Sequence, residues 1–240
     1  MVELELDDGL AVVTIDRPHA RNAIAPETMD QLEKVLDEAA QAQARALVIR
    51  GGGDRAFVSG GDLKELAKLR THEQAADMAW RMRTVCDRIA GFPAPVVAAL
   101  NGHALGGGAE VAVAADIRIA ADDVKIGFNQ VSLAIMPAWG GAERLASLVG
   151  RGRALMLAGS GEILRAEEAE RIGLVDRVLP REGFEQGWRA LGRALANPSS
   201  ASVKRVVNGA GPEEAVDAFA RLWVADAHWE AADKVLSRGK

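Results

Sequence analysis

The sequence is poor in cysteine and aromatic residues and has no tyrosine, and these shortages already exclude several classes of protein. Its one cysteine, Cys86, excludes an internal disulfide, and no cluster of cysteine and histidine has the spacing of a metal site. No apolar run reaches the roughly 18 residues of a membrane-spanning helix. A net charge of -5 argues against the basic face that nucleic acid requires. We therefore expect a protein that binds no membrane, nucleic acid or metal.

Signals that would direct the chain to another compartment or another chemistry are also missing. The first ten residues, MVELELDDGL, are acidic and alternate in polarity, unlike a signal peptide. A single cysteine suits a reducing compartment, so we expect a cytoplasmic location. The sequence has no G-x-S-x-G elbow, Walker loop or complete G-x-G-x-x-G fingerprint, which disfavours serine hydrolases, NTPases and dinucleotide-dependent oxidoreductases.

The most informative segment that is present runs from Val97 to Asp116, VAALNGHALGGGAEVAVAAD. It begins within an apolar run that predicts a buried strand, and it continues through three consecutive glycines into residues that favour a helix. Each glycine weakens the start of a helix by about 1 kcal/mol, so something must offset that cost. Glycines here let a ligand approach unpaired N–H groups at the positive end of the helix. Glu110 lies on the same helical face as Gly107, so donor and carboxylate can face one reacting group.

A second loop has the same character. Arg45–Arg50 has the pattern of a strand, and the stretch AFVSGGDLKEL that begins at Ala56 contains a loop of small residues from Ser59 to Gly61. Asp62 is placed to cap the helix that follows. Both loops therefore follow a strand and open a helix.

These two loops, in shape and separation, resemble those of the crotonase superfamily, also called the enoyl-CoA hydratase/isomerase family. Three other segments agree. IDRPHARNAI (Ile15–Ile24) is similar to the family's segment beside the coenzyme A site, and IMPAWGGAERL (Ile135–Leu145) is similar to its proline and double-glycine turn. RAEEAERIGLVDRVLP (Arg165–Pro180) is similar to its helix-to-strand exit from the core. The resemblance extends over nearly the whole chain and is weakest after Pro198.

The hydrophobic pattern predicts an α/β fold. Polar and apolar residues alternate on both sides of Asp8-Gly9, which predicts a hairpin, and Pro26–Gln43 has helical periodicity. The resemblance implies a crotonase-like spiral of ββα turns over residues 1–180, followed by a helical region at 181–240 that joins subunits into trimers, often paired as hexamers. Apolar residues at helical spacing predict helices at Glu182–Ala196, Ser202–Asn208 and Pro212–Leu236.

The chemistry implied by the resemblance is stabilisation of negative charge on a thioester. When an acyl-CoA loses a proton, gains a nucleophile at Cβ or loses carbon dioxide, charge collects on the carbonyl oxygen as an enolate. By correspondence with the family, the backbone N–H groups of Ser59 and Gly107 hold that oxygen, and losing one such donor costs about 3 to 4 kcal/mol of barrier. Glu110 matches the family's acid–base glutamate. Taken alone, a first-turn carboxylate is more often explained by the helix dipole.

The chain departs from the family pattern where a second glutamate is expected, because Gln130 holds that position. An amide neither gives nor takes a proton usefully near neutral pH. Gln130 could still orient water, or Glu143 could supply a carboxylate, although a solvated helix position explains Glu143 better. Trp139 replaces a small residue of the proline turn, where it either walls the acyl pocket or fills the core. Some decarboxylases of the family lack the second glutamate and carry such a tryptophan.

Three functions therefore stay open. The chain is an enoyl-CoA hydratase or isomerase of fatty acid metabolism, a decarboxylase of malonyl-type thioesters, or an acyl-CoA-binding protein that has lost turnover. Each implies an acyl-CoA thioester as the ligand, and the resemblance implies no cofactor beyond the coenzyme A moiety of that ligand.

Substrate-binding residues are expected from the same correspondence. Arg17 and Arg21 could reach the phosphates of coenzyme A, while Val235 and Arg238 stand where the family often closes the adenine end. We expect a structural role for His103, which precedes the glycine loop. The positions whose backbone contacts coenzyme A in the family correspond here to Ala23, Gly61, Asp62 and Leu63.

Overall fold

The computed structural model describes residues 1–237, and its strands fall into two sheets. Arg238, which the resemblance placed near the adenine end, lies outside the described residues. Numbered in chain order within residues 1–237, the strands are β1 (Val2–Asp7), β2 (Leu10–Ile15), β3 (Ala46–Gly51), β4 (Ala56–Val58), β5 (Val96–Leu100), β6 (His103–Leu105), β7 (Ile117–Ala121), β8 (Lys125–Gly127), β9 (Ile163–Arg165) and β10 (Arg177–Leu179).

The α-helices of the same range cover these sheets and form the carboxyl-terminal part of the chain. None of them combines the length and the apolar character that crossing a membrane would take. They are α1 (Pro26–Gln41), α2 (Leu63–Leu66), α3 (His72–Ala90), α4 (Gly107–Ala114), α5 (Gly141–Val149), α6 (Arg151–Ser160), α7 (Ala166–Arg171), α8 (Phe184–Leu195), α9 (Ser200–Val207), α10 (Pro212–Trp223) and α11 (Asp226–Ser237).

From β3 to β8, successive strands alternate between the two sheets, which confirms the spiral of ββα turns. The larger sheet has the order β1-β2-β3-β5-β7-β10 and the smaller one the order β4-β6-β8-β9. β3 is followed by β4, β5 by β6 and β7 by β8, so each turn places one strand in each sheet. These strands are parallel to their neighbours from the previous turn, and successive turns therefore lie side by side.

Local sequence explains the first elements. β1 and β2 form the predicted antiparallel hairpin, and both Asp8 and Gly9 have the positive φ that a two-residue hairpin turn requires. α1 begins at Pro26, as predicted, and ends at Gln41, just short of the predicted end. β5 and α4 are buried along their whole length, because every residue of β5 is apolar and Glu110 is the one charged residue of α4.

The carboxyl-terminal region differs from the prediction in one element. The predicted helix at Pro212–Leu236 is wrong as a single helix, because the chain turns between α10 and α11. The turn brings Trp223 against His228 and Trp229, with ring centroids 4.5 and 5.6 Å apart. Aromatic packing thus interrupts a helix that contains no glycine or proline at this point.

The first helix after residue 180 belongs to the main core. α8 packs on β3 and buries Phe184 and Trp188 in the same apolar cluster as the strands. The division of the chain at residue 180 into two regions stays a prediction.

Candidate active site

The two glycine loops lie side by side because the strands that precede them are neighbours. β4 and β6 are parallel, and they lead into the loops that begin at Ser59 and Gly106. Helix α4 approaches β4 so closely that a Cβ on Gly108 would lie 1.8 Å from the carbonyl oxygen of Val58. Only glycine fits there. A Cβ on Gly60 would lie 3.4 Å from the Gly107 nitrogen, so the two loops are in direct contact.

Both predicted oxyanion donors have a free N–H group. Within residues 1–237, neither the Ser59 nor the Gly107 N–H has a backbone or side-chain acceptor. Gly107 is the first residue of α4, where an N–H group has no partner inside its own helix. The positive end of the helix dipole adds to the attraction for negative charge at this point.

Glu110 is buried in the first turn of α4, with 2% of its surface exposed. Its Oε2 accepts hydrogen bonds from the backbone N–H groups of Trp139 at 2.7 Å and Gly141 at 3.0 Å. Its Oε1 accepts one hydrogen bond, from the amide of Gln130 at 2.9 Å. Burial raises the pKa of the Glu110 carboxyl, and the three hydrogen bonds oppose that rise. The raised pKa and the spare acceptor capacity of Oε1 suit a group that takes up and returns a proton.

Gln130 lies in a short 3₁₀ helix, Asn129–Leu133, and is 7% exposed. Its Nε2 donates to Glu110, so the side chain contacts the predicted acid–base group directly. Its Oε1 is buried without any hydrogen-bond partner in residues 1–237. The position predicted to have lost a carboxylate therefore holds an amide that is only half satisfied.

Trp139 both walls the pocket and fills part of the core. It is 6% exposed, and its ring lies against the second loop, since a Cβ on Gly107 would approach the ring to 2.2 Å. A Cβ on Gly61 of the first loop would lie 3.9 Å from the same ring. The indole is therefore in contact with both loops, while its backbone N–H holds Glu110.

One cavity of about 260 Å³ joins these groups. Its lining is mostly apolar, and Glu110 is its one acidic residue within the described chain. Ser59, Gly61, Gly107, Gln130 and Trp139 line it together with Glu110, and Leu63 lies at its edge with 61% exposure. The structure thus brings together all four residues predicted to be catalytic and three of those predicted to bind substrate.

Of the other residues predicted to bind substrate, Arg17 contacts both Ala23 and Asp62 beside the first loop. Asp62 caps α2 by accepting from the Lys64 N–H, as predicted, and pairs with Arg17 at 3.0 Å. Burial acts to raise the pKa of Asp62, but the hydrogen bond from Arg17 and those from the backbone lower it overall. The Arg17 guanidinium also donates to the Ala23 carbonyl. Arg17 therefore ties the segment before α1 to the loop, and its predicted contact with coenzyme A phosphates stays a prediction.

A second cavity, of about 560 Å³, opens on the other side of Ser59. Arg21, Arg55 and Arg181 line it, and His103 lies there with its Nδ1 accepting from the Lys125 N–H. Arg181 is paired with Asp123, whereas the Arg21 and Arg55 guanidinium groups have no partner within residues 1–237. Sequence reasoning missed Arg55. The only available signal was its position directly before β4, the strand that leads into the loop at Ser59.

Other candidates lie outside the acyl cavity. Glu143 is exposed and pairs with Arg83 at 2.7 Å, so it does not replace the second carboxylate. Cys86 is fully buried near Glu110, and burial raises the pKa of its thiol to about 12. Over residues 1–237, no group of three or more histidine, cysteine or acidic side chains is arranged to hold a metal ion.

Known proteins are similar to this chain in sequence and in fold. Residues 5–212 match the family model described as enoyl-CoA hydratase/isomerase. The chain is 35% identical over 204 residues to the short-chain-enoyl-CoA hydratase of Clostridium acetobutylicum, covering 85% of this chain and 78% of that protein. It is 39% identical over 198 residues to the crotonyl-CoA hydratase of Syntrophomonas wolfei, covering 80% and 75%. A crystal structure of enoyl-CoA hydratase from Thermoplasma volcanium matches with a TM-score of 0.86 and 33% identity, covering 97% of this chain and 96% of that one.

Proposed function

The chain belongs to the enoyl-CoA hydratase/isomerase family, and from that premise we propose that it adds water to short-chain 2-enoyl thioesters of coenzyme A, with Glu110 as the only carboxylate that transfers protons. It is an acyl-CoA enzyme of the hydratase/isomerase type. The observation that carries the finer proposal is the single cavity onto which Ser59, Gly107 and Glu110 all open.

The reaction follows from these three residues. The Ser59 and Gly107 N–H groups hold the thioester carbonyl oxygen, where negative charge develops. Glu110 takes a proton from water as the water oxygen bonds to Cβ, and the electrons of the double bond move to the carbonyl oxygen. Glu110 then returns the proton to Cα as the enolate collapses. The product carries one added water, and Glu110 is ionised again.

The hydrogen bonds around Glu110 select the oxygen that carries the proton. Oε2 accepts from two backbone N–H groups, which stabilise it as an acceptor, whereas Oε1 accepts only from Gln130. Oε1 has the spare acceptor capacity and is the atom that we assign to proton transfer. The neutral Gln130 takes no part in moving the proton.

Cavity size supports a short acyl chain. A volume of about 260 Å³ lies just below the range of ordinary ligand pockets, and Trp139 occupies the space next to both loops. Two relatives, a short-chain-enoyl-CoA hydratase and a crotonyl-CoA hydratase, have names that agree with a short acyl chain.

The coenzyme A moiety is proposed to lie toward the second cavity. The unpaired guanidinium groups of Arg21 and Arg55 suit its phosphates, and Ser59 borders both cavities. We expect Arg55→Ala to raise KM for crotonyl-CoA while leaving kcat almost unchanged. Arg153→Ala, which removes an exposed arginine elsewhere, is the matched control.

The direct test is incubation with three thioesters in the presence of a chelator, since no metal is proposed to take part. Crotonyl-CoA should gain the mass of one water, and its conjugated absorbance should fall. Conversion of 3-butenoyl-CoA to crotonyl-CoA would instead identify an isomerase. Binding without conversion of any thioester would identify a protein that has lost turnover.

Decarboxylation of a malonyl-type thioester is the second candidate, and one observation favours it. Because Gln130 is neutral, a carboxylated acyl group in the cavity would meet one negative charge, that of Glu110. A glutamate at position 130 would add a second negative charge and repel it more strongly. Loss of carbon dioxide from methylmalonyl-CoA, with crotonyl-CoA unchanged, would establish this reaction and refute hydration.

A homotrimer or hexamer is proposed from the apolar surface of the last helices. Phe219, Trp223 and Trp229 are 60%, 45% and 47% exposed and lie together on α10 and α11. Aromatic patches of this kind are usually covered by another subunit. Light scattering at micromolar concentration should give the mass of three or six chains, and a monomer would contradict the assembly.

A further inference from the structure

The turn that donates two backbone N–H groups to Glu110 is itself held by a charged side chain. This turn runs from Trp139 to Gly141, and its N–H groups lie 2.7 and 3.0 Å from Oε2 of Glu110. The Arg144 guanidinium, from the first turn of α5, donates to the Trp139 carbonyl oxygen at 3.3 Å. The backbone N–H of Arg144 donates to the Gly140 carbonyl oxygen at the same distance. Arg144 therefore binds two carbonyl groups of the turn while the N–H groups of the turn bind Glu110.

The two glycines of this turn face different side chains. A Cβ on Gly141 would lie 2.3 Å from Cγ of Glu110, whereas a Cβ on Gly140 would lie 2.2 Å from a guanidinium nitrogen of Arg144. Gly140 also has a φ of +88°, which residues with a side chain rarely adopt. The turn is thus packed between the carboxylate and the guanidinium. Loss of the guanidinium would free the turn to move away from the carboxylate.

Arg144 is anchored in turn by α3. Its guanidinium pairs with Oδ1 of Asp87 at 2.5 Å, and its side chain is only 21% exposed. Arg83, one helical turn earlier on α3, lies 3.9 Å from the other oxygen of Asp87 and pairs with Glu143 at 2.7 Å. Arg83 thus carries the same charge in the same cluster, but its side-chain hydrogen bond goes to Glu143.

We propose that Arg144, anchored by Asp87, is a positioning residue for the proposed hydration, because it holds the turn 139–141 with both N–H groups on Oε2 of Glu110. This inference rests on the proposed function, which makes Glu110 the group that transfers the proton. Without the guanidinium, the ionised carboxylate loses part of the hydrogen bonding that stabilises it. Its oxygens are also less well oriented for proton transfer.

Titration of Glu110 tests this role without relying on turnover. In protein labelled with ¹³C at the glutamate carboxyl groups, NMR follows the ionisation of Glu110, and the signal that is missing in Glu110→Gln identifies it. We expect Arg144→Met to raise the pKa of Glu110 by about one pH unit, close to the loss of one hydrogen bond to a charged group.

Neighbouring titratable groups do not obscure this measurement. Cys86 of α3 is the thiol near Glu110, and burial raises its pKa to about 12, so it stays neutral while Glu110 ionises. Glu143 of α5 accepts a hydrogen bond from Arg83, which holds the pKa of Glu143 below its usual value. Glu143 is therefore already ionised when the raised pKa of Glu110 is reached.

Asp87→Ala separates positioning from a simple effect of charge. Removal of a nearby negative charge should by itself lower the pKa of Glu110. If Asp87 acts by anchoring Arg144, its loss should raise that pKa, as Arg144→Met does. Arg83→Met is the matched control, because it removes a positive charge from the same cluster and leaves the hydrogen bond between Arg144 and the turn. It should leave the pKa of Glu110 almost unchanged.

In the hydration assay, the same variants should lose kcat rather than affinity. We expect Arg144→Met and Asp87→Ala to lower kcat for crotonyl-CoA about tenfold, because a slightly displaced acid–base group transfers protons less efficiently. KM should stay within about twofold, since in residues 1–237 neither side chain lines the two cavities described above. Arg83→Met should keep the wild-type kcat.

The outcomes separate this inference from the proposed function. An unchanged or lowered pKa of Glu110 in Asp87→Ala would overturn the positioning role, and so would an equal rise in Arg83→Met. If Arg144→Met fails to fold, the comparison of Asp87→Ala with Arg83→Met still decides the question, because Asp87 is exposed. A wild-type protein that hydrates no thioester would instead remove the proposed function, and the titration would still show whether Arg144 holds the turn.

Discussion

Replacing Glu110 with glutamine should remove proton transfer while preserving the site around it. The amide oxygen of the new side chain can accept the hydrogen bonds that Oε2 now receives from Trp139 and Gly141. Its NH₂ group then lies where Oε1 accepts from Gln130, and the Gln130 amide can turn over to accept from it. Every hydrogen bond has a counterpart, and the Gln130 oxygen that is unpaired in the wild type gains a donor.

The expected loss of activity is about 10²- to 10⁴-fold in kcat for crotonyl-CoA, the usual contribution of a positioned acid–base group. The Ser59 and Gly107 N–H groups, which are proposed to hold the thioester carbonyl oxygen, are unchanged. The affinity for butyryl-CoA, a saturated thioester that cannot be hydrated, should therefore stay within about twofold, less than the effect of one lost hydrogen bond. Initial rates of hydration and calorimetry measure the two quantities on the same preparation. Glu143→Gln, at an exposed position outside the cavity, is the matched control and should keep full activity.

Stability provides a second readout. Burial raises the folded-state pKa of Glu110, so its contribution to stability is fully present below the unfolded pKa and is lost as pH rises through the folded pKa. At neutral pH the neutral glutamine should therefore give an equal or higher Tm. The same raised pKa predicts that wild-type kcat/KM falls with acidification at a higher pH than for an ordinary glutamate. Full activity of Glu110→Gln would refute the assignment and favour decarboxylation, which needs the oxyanion donors but no strong base.

Three further changes test the packing of the site. Trp139→Ala should raise kcat/KM for 2-decenoyl-CoA relative to crotonyl-CoA. It should also lower the free energy of unfolding by about 3 to 5 kcal/mol. An unchanged ratio of the two kcat/KM values would contradict the role of Trp139 as a wall of the pocket. Gly108→Ala places a Cβ 1.8 Å from the Val58 oxygen, so denaturant unfolding should show a loss of about 1 to 3 kcal/mol together with lower hydration activity. Burial raises the pKa of the Cys86 thiol to about 12, so Cys86 should react with a thiol reagent only after unfolding in urea. Rapid labelling of the native protein would show instead that the thiol is accessible.

Local chemistry explains the features that could be predicted from the sequence. A strand followed by small residues and then by a helix was recognisable at Ser59 and at Gly107, because each feature depends on neighbours along the chain. The same holds for the cap at Asp62 and the hairpin turn at Asp8 and Gly9. Glu110 could be singled out because it occupies the first turn of a helix that begins with glycines.

Contacts between distant segments could not be predicted in this way. The sequence left open whether Trp139 walls the pocket or fills the core, and its packing against Gly61 and Gly107 gives it both roles. Arg17 was expected to reach phosphates, but its guanidinium is held by Asp62 and the Ala23 carbonyl. These partners are separated along the chain, and no periodicity or spacing records their distance in space.

The sequence by itself determined the α/β class and the two glycine loops, and it singled out Glu110 as the candidate acid–base residue, because helix starts, strand patterns and glycine turns arise from short-range sterics and hydrogen bonds. Tertiary structure alone decided how those parts act together. It placed the Gln130 amide on Glu110, because their hydrogen bond joins elements from two different turns of the spiral, and it left the amide oxygen buried without a partner in residues 1–237. It also broke the last predicted helix, because aromatic packing of Trp223 against Trp229 outweighs a continuous helical pattern.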